Sequence, residues 1–364
     1  MRLRRTLLIV LVVLLIAAVL TVVVLLRGKA PPEPARLLPG ADAFVYLNLR
    51  RMRWASVFGD MKPVSHAPEY EQFIQETGIQ FERDLDQAAL AVHYPAPSPG
   101  AAPGAGKTAR VTWVFEGTMN AQRLAAYLGK IARSKETYRD LDIFSVPLED
   151  HIARVAILSV DTVALSDSDD PEVIRGIVDR SRKRASPFAG PAFLRAHYKD
   201  VPFASLAWAI VRVHPASTNR LLGALGGLES LFPREAVVVA SIRLLRALHL
   251  RAEVFTASED DARQVTGQVA TFLALFHAAE ISTPLGGPDP DAKAFFSSLK
   301  VEQDKDRAVL TAIMPLGFVR KALRDPVALA PPEPAKEKPA ISPEPLLPKD
   351  GKTTKTAPGE KGRM

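Results

Sequence analysis

AVVVASIRLLRALHLRAEVF, residues 236–255, decides the class of this fold. In its second half Leu248, Leu250, Ala252 and Val254 alternate with His249, Arg251 and Glu253, so one face is apolar and the other polar. A period of two is the mark of a half-buried strand. The spacing predicts a hairpin of Ala236–Leu244 with Leu248–Phe255, closed by a tight turn near Arg246. A long helix is predicted from Ser258: Glu259, Asp260 and Asp261 suit its first turn, where the helix dipole favours negative charge. Val265, Val269, Phe272, Leu273 and Phe276 form its apolar stripe. Alternating hairpins of this kind suit antiparallel sheets with helices packed on one face and water on the other, an α+β fold.

The same order reads earlier in the chain. Ala88–Tyr94 and Arg110–Glu116 predict paired strands, with Val111, Trp113 and Phe115 on one face, and a helix follows through Leu124, Tyr127, Leu128 and Ile131. Leu124, Leu128 and Ile131 correspond to Val265, Val269 and Phe272 at a constant offset. Around this core, strands are predicted at Phe44–Leu49, Ile143–Val146, Arg154–Ser159, Val163–Leu165, Phe203–Val213 and Val309–Ile313. Helices are predicted at Met52–Met61, Glu69–Thr77, Thr218–Phe232 and Phe318–Leu323, and from Asp170, where Pro171 occupies the favoured first position. The pattern predicts two similar units of antiparallel sheet, residues 40–190 and 191–328, although strand–strand–helix order also recurs by chance.

The ends have another character. Leu7 to Leu26 carries no charge, and a helix of that length spans roughly 30 Å, the thickness of a bilayer's hydrocarbon core. A secretory signal peptide is the rival reading, but its apolar stretch is about 7–15 residues and a small-residue cleavage site follows it. Here bulky residues continue from Val22 to Leu26, which predicts a single uncleaved transmembrane helix within residues 1–29. Arg2, Arg4 and Arg5 before the run, against Arg27 and Lys29 after it, predict a cytoplasmic N-terminus, with the bulk of the chain outside a bacterial inner membrane. Residues 30–39, rich in proline, read as a stiff spacer. Residues 329–364 are too poor in apolar side chains to offset their ordering entropy and are predicted disordered.

The net charge of +7 belongs to these ends. Residues 1–36 hold six Lys/Arg against one Glu, and residues 331–364 hold seven against five Asp/Glu, which leaves 34 of each sign between them. A neutral folded part argues against nucleic acid as a partner, because that needs a clustered basic surface. The chain has no cysteine, which excludes disulfides, thiol chemistry and a lipid-modified cysteine.

No motif carries chemistry far. Gly104-Ala105-Gly106-Lys107-Thr108 resembles the end of a phosphate-binding loop, yet Ala101 stands where the pattern needs glycine, and a strand is predicted after the lysine instead of a helix. No nucleotide or other cofactor is therefore expected. His66, His93, His151, His197, His214, His249 and His277 lack metal-binding spacing, and His277 with Glu280 supplies two ligands where a site needs three or more. His93 and His249 read as exposed residues of the sheet face. Ser159, Ser166 and Ser168 lack a nucleophile elbow. Glu82, Arg83, Asp84 and Asp86 read as a solvated turn with local salt bridges. Arg50, Arg51, Arg53 and Trp54 fit either an exposed helix or a contact with anionic lipid. No catalytic, cofactor-binding or metal-ligating residue is assigned.

Leu38-Pro39-Gly40-Ala41-Asp42-Ala43-Phe44-Val45-Tyr46-Leu47 resembles the opening of a group of bacterial membrane-anchored envelope proteins of unknown function, in which a Leu-Pro-x-Asp-Ala segment leads into the first strand of a duplicated α+β domain. Glu76-Thr77-Gly78 and Phe81-Glu82-Arg83-Asp84-Leu85 resemble that group's helix-to-strand passage. The resemblance implies the architecture and no activity. Together these features predict a non-enzymatic, membrane-anchored envelope protein that binds a partner protein or an apolar ligand. An envelope hydrolase whose site assembles only on folding, and a lipid carrier, are the alternatives.

Overall fold

In the computed structural model of this chain, residues 30–55, 66–94, 109–148, 151–183, 189–213, 236–282 and 290–324 are described, with backbone alone for 275–282 and 322–324. The anchor run, the tail, the Gly104–Thr108 loop and the helix predicted over 218–232 lie outside them, as do His214 and the side chains of His277 and Glu280.

The elements, in order, are α1 (Glu33–Leu37), β1 (Ala43–Leu47), α2 (Leu49–Trp54), α3 (Pro68–Thr77), α4 (Phe81–Asp84), β2 (Leu85–His93), β3 (Arg110–Gly117) and α5 (Ala121–Ile131). There follow β4 (Ser134–Tyr138), β5 (Leu141–Pro147), β6 (Ile152–Ile157), β7 (Thr162–Ser166), α6 (Pro171–Arg182) and α7 (Ala192–Tyr198). The chain then forms β8 (Ala207–Val213), β9 (Ala236–Leu244), β10 (Leu248–Phe255), α8 (Glu259–Ser282), α9 (Pro290–Ser298), β11 (Lys300–Asp304), β12 (Arg307–Met314) and α10 (Leu316–Arg324). This is a mixed α+β fold built on a large antiparallel sheet.

All twelve described strands belong to one sheet, in the order β11-β12-β10-β9-β8-β1-β2-β3-β7-β6-β5-β4. The hairpin read from 236–255 is present as β9–β10, with Ala240 opposite Ala252. The seam between the earlier and later parts is the pair β1–β8, which sets Phe44 opposite Ile210 and Tyr46 opposite Trp208. The sheet is thus continuous across the boundary expected at 190/191.

Helices cover both faces, not one. Adjacent residues Ile143 and Phe144 show this: Ile143 joins the cluster of Ile174, Ile177 and Val178 from α6, while Phe144 packs with Leu124 and Leu128 of α5. The cause is legible in β6 and β7, where Val155-Ala156 and Val163-Ala164 place neighbouring apolar residues on opposite sides and both are buried. A strand buried on both faces loses the alternation that marks a water-facing side. In the later part, Val265 of α8 packs with Val213, Ala236, Val254 and Ala308 on the α5 side of the sheet. Leu194 of α7 packs on the other side, in the cluster with Trp208 and Ile210.

The proline-rich stretch expected to be a spacer folds into the core. Pro32 caps α1 and Pro34 lies in its first turn, where a missing N–H costs nothing. Ala35 and Leu38 are fully buried in the main cluster, and Arg180 Nε donates to the Leu37 carbonyl at 2.8 Å. Of the helix expected at Met52–Met61, residues 56–61 lie outside the described residues; within them the helix begins earlier, as Leu49–Trp54, started by Asn48, whose Oδ1 accepts from the Arg51 backbone N–H at 2.9 Å.

Candidate functional site

The motifs weighed in the sequence fall into structural roles. Gly104–Thr108 lie outside the described residues; among those described, the next element after them is the strand β3, which pairs antiparallel with β2 and sets His93 opposite Arg110. Ser166 is buried against Thr112 at 3.0 Å, and Ser159 Oγ donates to Asp161. The acidic turn holds one local pair of the kind expected, Arg83 with Asp84 at 2.7 Å, whose hydrogen bond draws the Asp84 carboxyl below its ordinary range, while Asp86 pairs at 2.9 Å with Arg53 of α2, far away in sequence.

His66 packs edge-on against Tyr70 and lies 3.2 Å from Glu82, whereas His197 sits between Phe193 and Phe255. His93 and His249 are both half-buried, not exposed; the Nε2 of His93 is out of contact with solvent, and burial lowers the His93 pKa. Among the described residues no group of three His, Cys, Asp or Glu could hold a metal ion.

An enzyme with a site assembled on folding would need buried carboxylates facing a cavity. Glu253 is buried, 5% exposed, and Asp200 lies nearby. Arg251 Nε donates to Glu253 at 2.7 Å, and Arg307 lies 3.3 Å from Glu253 and 3.7 Å from Asp200 while covering the Phe255 ring at 4.6 Å. Arginines neutralise both acids, so the cluster reads as an ion network fastening α7 to the sheet.

The opposite face carries a different feature. Register places Leu310, Ala252, Ala240, Ala209, Val45, Leu90, Trp113 and Leu165 side by side across eight adjacent strands. Every one is half-buried. A next row on the same face, Ala207, Ile242, Leu250 and Ala312, lies beside its later end. Helix α8 covers the Val254 end of these strands, leaving the Leu250 end to α9.

A groove of about 410 Å³ opens there. Its floor is hollow because the floor side chains from β8, β9, β10 and β12 include alanines 207, 209, 240, 252 and 312; Phe295 and Leu299 form the wall. Phe295 is held by stacking on Phe318 of α10, with ring centroids 5.1 Å apart. Ser241 and Arg251 border the groove by backbone, because alternation turns their side chains to the Glu253 face. The walls therefore offer an apolar surface with no ionisable group. The sequence showed these residues as strand alternation and gave no sign of the hollow, since a run of small residues on one face becomes a cavity only when the register aligns them.

Among the described residues no helix is long and apolar enough to cross a membrane; the Leu7–Leu26 run is not among them. No protein-family model matches this chain. No curated protein matches its sequence. Among solved structures the chain is similar to crystal form III of TP0453, at TM-score 0.42 and 7% identity, over 81% of this chain and 99% of that one. Crystal form I of TP0453 is similar at TM-score 0.42 and 8% identity, over 82% and 98% of the two chains.

Proposed function

We propose that this chain is a non-enzymatic envelope protein, held in a bacterial inner membrane by the helix predicted over 7–26, with its bulk on the periplasmic side, and that it binds an apolar ligand. The occupant is an acyl chain of a membrane lipid, lying in the groove beside Phe295. The observation that carries this is the half-buried apolar row across eight strands, ending in a groove of about 410 Å³. That volume falls in the range of small-molecule sites, roughly 300–1,000 Å³. A tether would keep the groove beside a source of such chains.

Two similar units underlie the design. Strands β1, β2, β3 and helix α5 run in the order of β8, β9, β10 and α8, and β7 lies beside β3 as β12 lies beside β10. Two of the three offset pairs share environments: Leu124 and Val265 are buried and Ile131 and Phe272 are exposed, while Leu128 is buried and Val269 half-buried. A partner protein's apolar helix is the other occupant this reading allows.

The test is native mass spectrometry of the full-length protein purified in detergent and washed free of bulk lipid. One retained acyl-chain ligand is expected, lost in Ala240→Trp, which fills the groove, while the melting temperature holds. A wild-type protein that retains no apolar molecule and does not take up a fluorescent fatty acid would overturn the reading. A cross-linked polypeptide lost with the same variant would assign the groove to a protein partner instead.

A further inference from the structure

Five adjacent strands of the sheet, β12, β10, β9, β8 and β1, have unlike ends. Register gathers Leu47, Ala207, Leu244, Leu248 and Met314 at one of them. The connections at this end, residues 48–55, 202–206, 245–247 and 315–321, carry six Lys/Arg and no Asp/Glu. At the other end of the same strands, the described connections 41–42, 256–261 and 305–306 carry five Asp/Glu and one Lys. From other elements Asp86 pairs with Arg53, Asp291 pairs with Lys321, and Glu116 shares a hollow with Arg50 and Arg51. Six cations against these three acids leave the first end positive. Apolar side chains stand out there too. Trp54, Val160, Phe203 and Leu245 are the four most exposed large apolar residues among those described, at 89, 77, 74 and 64%. Trp54 ends α2, Phe203 precedes β8 and Leu245 opens the β9–β10 turn, while Val160 sits in the β6–β7 turn further along the same end of the sheet. Met52 and Ala55 pack against Leu206 and Leu248, so the inward side of α2 is taken and Trp54 is left outside.

Single exposed apolar residues need no explanation, but their gathering at one positive end does. Arg53 precedes Trp54, Arg246 follows Leu245, and Arg51 lines a hollow together with Phe203. Apolar tips interleaved with arginine suit the interface of a bilayer, where the tips leave water and the charges meet anionic headgroups. A protein partner asks instead for a patch whose centre is depleted of charge. The place where the chain enters the fold supports the same partner. Ala30, the first described residue, lines that hollow with Arg51 and Phe203. The apolar run read from the sequence stops at Leu26, and four extended residues reach at most about 14 Å.

We propose that this end of the sheet is a membrane-docking surface: Trp54, Phe203 and Leu245 enter the interface of an anionic bilayer, and Arg50, Arg51 and Arg246 face its headgroups. The choice of lipid as partner rests on the membrane tether in the reading above. Docked in this way, the sheet turns its acidic end away from the bilayer. The groove, which takes in Leu250 two residues into β10, then lies next to the lipid.

The chain has no cysteine, so a single introduced one carries a fluorophore at a chosen place. The experiment uses the full-length protein in vesicles of phosphatidylcholine and phosphatidylglycerol that contain a nitroxide-labelled lipid as quencher. Leu245→Cys and, separately, Phe203→Cys put the probe on the proposed surface, and Ala257→Cys, exposed at the acidic end, is the reference. Lipid quenching is expected at 245 and 203 and not at 257. Arg246→Gln, an exposed change added to Phe203→Cys, is expected to lower the ratio of docked to undocked molecules about fivefold, the effect of one charge near an anionic surface. Equal quenching at both ends, or none at either, would overturn the proposal. A probe at 245 shielded from iodide yet beyond reach of the lipid quencher would also overturn it, and would assign the end to contact between copies of the chain. Alkaline carbonate tests the tether separately: if it releases the protein, the same quenching is read with vesicles added to the released chain, and that reading decides the surface. Ala240→Trp is expected to leave the quenching unchanged, so failure of the groove and failure of this surface are read apart.

Discussion

Tyr46 and Trp208 face each other across β1 and β8 and stack with ring centroids 5.5 Å apart and planes 20° from parallel. This contact closes the seam of the sheet, and Tyr46 Oη donates to Gln87 Oε1 at 2.5 Å, extending the tie to β2. Truncating either ring to alanine is expected to cost about 3–5 kcal/mol, read from the urea midpoint of the full-length protein. A double-mutant cycle should return a coupling of about 0.5–1.5 kcal/mol. Coupling indistinguishable from zero would mean that each ring contributes its burial alone.

Two glycines should respond to alanine with opposite signs. A Cβ at Gly117 would overlap the Asp84 carbonyl and stand 2.8 Å from Leu85 Cα, both backbone atoms of the strand entry beside it. Gly117→Ala is expected to destabilise by about 1–3 kcal/mol through overpacking. A Cβ at Gly129, on the exposed side of α5, meets nothing within 4 Å. Gly129→Ala is expected to stabilise by about 0.5–1 kcal/mol. Paired melts of the two variants check both signs.

The β4–β5 hairpin turns through Arg139 at φ 49° and Asp140 at φ 61°, both in the left-handed region. A two-residue turn of this type prefers Asn-Gly. Replacing the pair by Asn-Gly is expected to raise the melting temperature despite the loss of the Arg139–Asp179 ion pair, which spans 2.7 Å between half-exposed side chains. Exposed pairs contribute about 0–1 kcal/mol. A lowered melting temperature would show that the ion pair outweighs the turn.

Acid should weaken the fold through two histidines. Burial lowers the pKa of both His93 and His197; Asp42 and Asp167 oppose it at His93, and Asp200 opposes it at His197, where Lys199 and Arg212 act in the same sense as burial. As pH falls, the unfolded chain takes up these protons first. Stability is therefore complete above the ordinary histidine pKa of about 6.5 and is lost as pH drops through it toward the folded values. His197→Phe, set between Phe193 and Phe255, is expected to flatten the dependence of the urea midpoint on pH between about 6.5 and 5. An unchanged slope would remove His197 from the acid response.

The sequence disclosed each element whose burial has a simple period. The β9–β10 hairpin alternates cleanly, α5 shows Leu124 and Leu128 at helical spacing, and α6 opens on Asp170, whose Oδ1 accepts from the Glu172 backbone at 2.9 Å. The strands it concealed are the two edges of the sheet. Strand β4 reads SKETY and β11 reads KVEQD, both nearly all exposed, because a charged edge resists pairing with another chain. Their turns add no signal, since Arg139-Asp140 and Lys305-Asp306 contain no glycine, although Arg139, Asp140 and Lys305 all take positive φ.

What the sequence determined by itself is local: the strands and helices whose apolar residues recur at a regular period, the neutrality of the stretch between the charged ends, and the apolar run at Leu7–Leu26. These depend on composition and on neighbours within a few residues. Tertiary structure decided whether the two parts share one sheet, which faces the helices cover, and where space is left. The alanines that floor the groove line up only through register between distant strands, and register is a property of pairs that no single stretch of chain contains.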